Sequence, residues 1–295
     1  MKKSIRNAAL IAGTLTVSSF LLAKAINRKR FSRLSIGHQK EEAIPTVILH
    51  GVNGNKRTMQ GMLQRMHKQN VAYKALEIEV AEDGEVFVNG TWGQTQGYLK
   101  PVIQVFFDNN DAPAELQAEW LKSVMVFLHD KLEVQKVNLI GHSMGGVTSL
   151  HYLTQIKTFQ ESVPRVSKLI TLGSPFKGNV AHTIMSQVYK LEKSEEGIRN
   201  FDDNFTYFMV ERNKLPEDLR VLNIYGDVEN GTESDSIVKV ESALALGEIV
   251  KDNVASYNEI KLTGIRSQHT LLHENPEADE AIIKFLWYRD LDSFD

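Results

Sequence analysis

The chain has 295 residues, 42% hydrophobic and 24% charged, enough apolar content to bury one large α/β core or two small ones. Its net charge is −3, and no basic stripe runs through it outside the N-terminus, so nucleic-acid binding has no support. There is no cysteine, which excludes a disulfide scaffold, a thiol nucleophile and a cysteine-based zinc site.

The N-terminus is the compositional outlier. Lys2, Lys3 and Arg6 precede an uncharged run over residues 7–23, and Lys24, Arg28, Lys29 and Arg30 follow it. A basic segment followed by an apolar one reads as a secretory signal, with Ala23-Lys24-Ala25 as an A-x-A-like cleavage site. Lys24 inside that site and the basic residues behind it argue against simple cleavage. A run of roughly 17 residues stands at the lower edge of a membrane span, so an uncleaved anchor is the alternative. Either way the expectation is an extracytoplasmic protein, secreted or associated with the membrane through this segment. Residues 1–35 are therefore set apart as signal or anchor plus linker, and residues 36–295 are read as the folded domain. Without the first 25 residues the balance is 30 basic to 37 acidic side chains, a net of −7.

Residues 31–44 read as a polar linker. A short apolar strand follows Pro45 over residues 46–50 and ends in His50-Gly51-Val52-Asn53-Gly54. Met59, Met62, Leu63 and Met66 fall at helical spacing, with Thr58 as the N-cap. Residues 73–80 and 85–88 alternate around Asp83-Gly84, the pattern of a hairpin. A buried strand over 101–107 precedes a helix over 114–132, whose apolar positions are Leu116, Trp120, Leu121, Val124, Phe127 and Leu128. Strands follow at 137–140, 166–172, 219–225 and 258–262, with a helix at 146–154 and a last one at 276–288. Residues 176–218 break this rhythm. They carry Met185, Tyr189, Phe201, Phe205, Tyr207, Phe208 and Met209 and read as a mostly helical insertion, either a lid over an acyl pocket or ordinary helix packing. Strands alternating with helices at this spacing predict an α/β fold with a doubly wound, mostly parallel sheet.

Everything is organised around Gly141-His142-Ser143-Met144-Gly145, which stands between a strand and a helix. A sharp strand-to-helix turn puts its middle residue in a strained conformation with the side chain at the apex. Glycines two before and two after the serine remove Cβ atoms that would collide where strand and helix pass. Ser143 is the expected nucleophile. A serine hydroxyl is a weak nucleophile near neutrality, so it needs a base in reach and a group to orient that base. Enzymes with this elbow run in the order serine, acid, histidine. The acid then belongs after the strand ending at Tyr225, where Asp235 is preferred over Asp227, which stands at the strand end and has a loop-capping role open to it. The base belongs after the strand ending near Leu262, where His269 is preferred over His273. His50 and His142 are read as structural. A tetrahedral intermediate needs two N–H donors, for which the backbone of Met144 and of Val52 are the candidates, with Asn53 in reserve.

These residues resemble α/β-hydrolases of the lipase/esterase type over about residues 44–290. The likeness is nearest to a group of uncharacterised exported hydrolases of Gram-positive bacteria. It rests on His50-Gly51, the elbow through Gly146, Gly173-Ser174-Pro175, the loop around Ser234-Asp235, and the tail from His269 through Glu274-Asn275-Pro276 to Phe285-Leu286-Trp287. In lipases a glycine often follows the acid, and Ser236 stands here instead. The resemblance implies a hydrolase of small-molecule or lipid carboxylic esters that works through an acyl-enzyme and calls for no cofactor or metal. Acyl transfer by the same triad, and a non-catalytic cell-envelope binding protein on the same fold, are the rival readings. Fold alone does not choose among them.

Overall fold

The computed structural model of the protein describes residues 33–36, 44–93, 99–178 and 201–288. The expected export segment, and residues 179–200 of the expected insertion with Met185 and Tyr189, lie outside the described residues. Among the described residues no helix is long and apolar enough to cross a membrane.

The described strands form one sheet in the order β1-β4-β3-β5-β2-β6-β7-β8-β9. The strands are β1 (Arg33–Ile36), β2 (Thr46–Leu49), β3 (Ala72–Val80), β4 (Val86–Trp92), β5 (Lys100–Phe107), β6 (Lys136–His142), β7 (Arg165–Leu172), β8 (Arg220–Asp227) and β9 (Ser256–Thr263). From β3 to β9 every pairing is parallel, while β4 folds back antiparallel on β3. The hairpin joining them turns at Gly84, whose φ is 83°. β1 begins inside the stretch expected to be linker, and β4 runs four residues beyond the expected hairpin arm.

The helices are α1 (Gln60–Lys68), α2 (Ala114–Leu132), α3 (Met144–Gln155), α4 (Asp202–Glu211), α5 (Val240–Val250) and α6 (Pro276–Trp287). Alternation along the central strands sends side chains to opposite faces of the sheet. Val47, Leu49, Leu139, Leu169 and Val221 join one apolar core with Leu121, Val147, Phe208 and Leu246 of α2 to α5. Ile48, Ile140, Ile170 and Leu222 join the other, with Met62 and Met66 of α1 and Ile282 and Phe285 of α6. The sheet is therefore wound on both faces. α6 is capped at its start by Asn275, whose side chain accepts the N–H of Glu277 at 2.9 Å, with Pro276 at the first helical position. At its end Lys168 Nζ donates to the carbonyls of Phe285 and Leu286, both at 2.7 Å.

One cap differs from expectation. Met59, at φ 64°, precedes α1, and no side chain caps that helix. The Thr58 hydroxyl instead accepts the N–H of Asn55 at 3.0 Å. The reason is the loop before α1, which is wound into tight turns and tied to the sheet. Gln104, buried on β5, donates from Nε2 to the carbonyls of Lys56 at 3.2 Å and Thr58 at 2.8 Å.

Candidate active site

β6 delivers Ser143 to the carboxyl edge of the sheet with φ 53° and ψ −123°, a costly conformation for a non-glycine residue. A Cβ on Gly141 would lie 2.4 Å from backbone atoms of Gly145, so the elbow closes only because glycine stands there. The Ser143 N–H donates to the carbonyl of Leu172 at 2.8 Å, which locks the turn to β7.

The loop after β8 supplies Asp235, whose side chain is 1% exposed. Its Oδ1 accepts the N–H groups of Ile237 at 2.9 Å and Val238 at 2.7 Å, leaving Oδ2 for one further partner. Ser236 has φ 83°, the left-handed conformation that a glycine adopts freely, so the turn after the acid keeps its shape with a serine in it. The loop after β9 supplies His269, 2% exposed, between two short 3₁₀ turns. Its Nδ1 lies 2.7 Å from Asp235 Oδ2 and its Nε2 3.0 Å from Ser143 Oγ. A carboxylate only accepts, so Nδ1 carries the proton and Nε2 presents a lone pair to the serine hydroxyl. Three side chains from three loops, 34 and 126 residues from the histidine in sequence, thus form one hydrogen-bonded line.

The alternatives fall elsewhere. Asp227 pairs with Lys261 at 2.8 Å and accepts the N–H of Glu229 at 2.9 Å, and the lysine holds its carboxyl below the usual range. It caps the loop. The Nδ1 of His273 lies 3.2 Å from Glu274, and burial lowers its pKa. His50 accepts the N–H of Phe107 on Nε2 at 3.2 Å and approaches the Gly51 carbonyl through Nδ1 at 2.6 Å; burial keeps it neutral.

The loop after β2 lies against the nucleophile. A Cβ on Gly51 would come 2.7 Å from the Cβ of Ser143. Among the described residues no hydrogen bond engages the N–H of Val52 or of Met144, so both are free for a ligand oxygen. Asn53, the reserve donor, is not: its N–H donates to the carbonyl of Asn110 at 3.1 Å. Asn110 Nδ2 in turn donates to the carbonyl of Gly54 at 2.9 Å and braces the loop from outside.

Reading the sequence did not find Arg65. From α1 its guanidinium donates from Nη1 to Glu274 at 2.7 Å, from Nη2 to the His273 carbonyl at 3.0 Å, and from Nε and Nη2 to Asp279 at 2.5 and 3.1 Å. It ties the segment after His269 to the helix that follows the Gly51–Val52 loop. The only local signal was an arginine on the helix, since its partners lie more than 200 residues away.

The family described as alpha/beta hydrolase of unknown function (DUF915) matches residues 34–289. The chain belongs to this family. Among solved structures, the product of the gene lin2722 from Listeria innocua is 26% identical, with a TM-score of 0.71, over 85% of this chain and 96% of that one. A protein described as a cell surface hydrolase from Lactobacillus plantarum is 19% identical with a TM-score of 0.60, over 83% and 90% of the two chains. The naproxen esterase of Bacillus subtilis, at 18% identity and a TM-score of 0.50 over 84% and 85%, shares the fold. No curated protein matches the sequence. Family membership and fold together make the protein an α/β hydrolase.

Proposed function

We propose that the protein is a serine esterase that cleaves carboxylic esters of small molecules or lipids through an acyl-enzyme. The observation that carries this reading is the unbroken line Asp235–His269–Ser143, with the two free N–H groups of Val52 and Met144 beside it. Ser143 Oγ attacks the ester carbonyl as its proton passes to His269 Nε2, and the oxyanion settles between the two N–H donors. Collapse breaks the bond to the alkoxy oxygen, which leaves as the alcohol with the proton from His269. Water then attacks the acyl-serine, with His269 again taking the proton, and releases the carboxylic acid. Asp235 holds the tautomer and stabilises the imidazolium.

The test uses p-nitrophenyl esters from acetate to palmitate together with a fluorophosphonate probe. Wild type is expected to turn over and to label, and Ser143→Ala to lose both. A wild type that hydrolyses no ester and takes no probe overturns the reading. Acyl transfer is scored in the same assay by adding an alcohol and looking for the transester. The basic and apolar N-terminal segment supports export of this activity. Cell fractionation with and without residues 1–35 tests that directly, and a cytoplasmic full-length chain refutes it.

A further inference from the structure

His142, the residue before the nucleophile, is 4% exposed and makes one hydrogen bond through its ring, from Nε2 to the backbone carbonyl of His269 at 3.0 Å. A carbonyl cannot donate, so Nε2 carries the proton and Nδ1 is left as an acceptor. That Nδ1 is buried and has no partner. It faces the loop that carries Val52, 3.3 Å from where a Cβ on Gly51 would lie. The ring packs between the imidazoles of His269 and His273, with centroids 4.8 Å from each. Burial and the neighbouring histidines keep it neutral.

A buried acceptor without a partner is a cost to folding that a leucine or phenylalanine of similar bulk would not carry. What the histidine supplies in return is its single N–H. His269 has four hydrogen-bonding groups. Asp235 takes two of them, the ring Nδ1 at 2.7 Å and the backbone N–H, which donates to the Asp235 carbonyl at 2.8 Å. Ser143 takes the third, Nε2. The fourth, the carbonyl, is held by His142. The backbone of His269 is thus pinned on one side by the acid and on the other by the residue joined to the nucleophile.

We propose that His142 is a positioning residue, whose Nε2–H fixes the main chain of His269 so that its imidazole stays in line between Ser143 and Asp235. The inference rests on the esterase reading. Proton transfer to and from the serine tolerates little misplacement of the base: a shift of about 1 Å can slow turnover by roughly 100-fold. His142→Leu removes the donor. His142→Gln retains one, because a glutamine amide reaches about as far as the Nε2 of histidine.

The experiment measures kcat and KM for a p-nitrophenyl ester with wild type, His142→Leu and His142→Gln. Rates are counted per site titrated with a fluorophosphonate, and thermal melts are recorded alongside. Expected is a fall in kcat of about 100-fold in His142→Leu with KM within roughly threefold, and recovery to within about tenfold of wild type in His142→Gln. His142→Leu exchanges one orphan acceptor, its own Nδ1, for another, the His269 carbonyl, so its melting temperature should stay close to that of wild type. If His142→Leu does not fold, His142→Gln alone decides. A folded His142→Gln with kcat as low as that of Asp235→Asn overturns the proposal. So does a His142→Leu with wild-type kcat, or one whose lost activity only follows a lowered melting temperature. A wild type that is inert to both ester and probe takes down the esterase reading itself, and this inference with it.

Discussion

Replacing Asp235 by asparagine changes one atom, and the structure dictates which. Asp235 Oδ1 accepts two backbone N–H groups, from Ile237 and Val238. An asparagine must keep its oxygen there. The flipped amide would set its NH₂ against two buried donors, each left unsatisfied at a cost of about 1–3 kcal/mol. The amide nitrogen is therefore forced into the place of Oδ2, 2.7 Å from His269 Nδ1. It donates, so Nδ1 must accept and the proton moves to Nε2. The imidazole then points an N–H at Ser143 Oγ and cannot take its proton. In serine hydrolases with this arrangement, holding the wrong tautomer costs about 10⁴-fold in kcat, or roughly 5 kcal/mol of transition-state stabilisation. The assay is steady-state hydrolysis of p-nitrophenyl butyrate by Asp235→Asn, with Asp227→Asn beside it. The second variant loses the pair with Lys261, which lies outside the line from Asp235 to Ser143, and should stay within about threefold of wild type. If Asp235→Asn keeps more than about a tenth of wild-type kcat, or if Asp227→Asn is the dead enzyme, the assignment of the acid is refuted.

Stability should respond to pH through three histidines. Burial lowers the pKa of His50, His142 and His273 in the folded protein below the ordinary 6.5. Below that pH the unfolded chain binds protons that the folded one refuses, so their stabilisation is present above about 6.5 and lost as pH falls beneath it. All three titrate in the unfolded state near that pH, so urea melts at pH 7.5, 6.5 and 5.5 should show stability falling with pH; a flat profile rules out neutral burial. Arg65→Met leaves Asp279, 1% exposed, as a buried carboxylate without its cation. The expected loss is about 3 kcal/mol, or roughly 6–12 °C in melting temperature. Adding Asp279→Leu should recover much of it, and a single variant that melts with wild type would show that the cluster contributes no stability.

How much of this could be read from the chain depended on the range over which each signal acts. Period-two strands, the elbow glycines and the order of serine, acid and base are local or follow from topology, and they were enough to single out Ser143, Asp235 and His269 as candidates, which the fold brings into one hydrogen-bonded line. Choosing between His269 and His273 needed the fold, because both lie in one loop and only the packed turns decide which ring meets the serine. The expected cap at Thr58 did not form because a residue 46 positions away, Gln104, holds that loop in another shape. Asn53 lost its candidacy to Asn110 for the same kind of reason. Arg65 had no local signature, since a salt bridge spanning 209 residues leaves none. Ser236 was a departure from the lipase pattern on paper, yet its positive φ reproduces what a glycine does there.

The order of strands carries a consequence for the timing of chemistry. From β6 to β9 the sheet is laid down in chain order, one strand beside the last. The elbow is complete once β6, α3 and β7 have met, whereas the acid hangs from β8 and the base from β9. A chain grown or folded only as far as residue 255 has a sharp turn with an ordinary alcohol on it, and nothing to draw off the proton. Under the proposed reaction, the base is therefore the last of the three groups in chain order, and it comes with the last strand of the sheet.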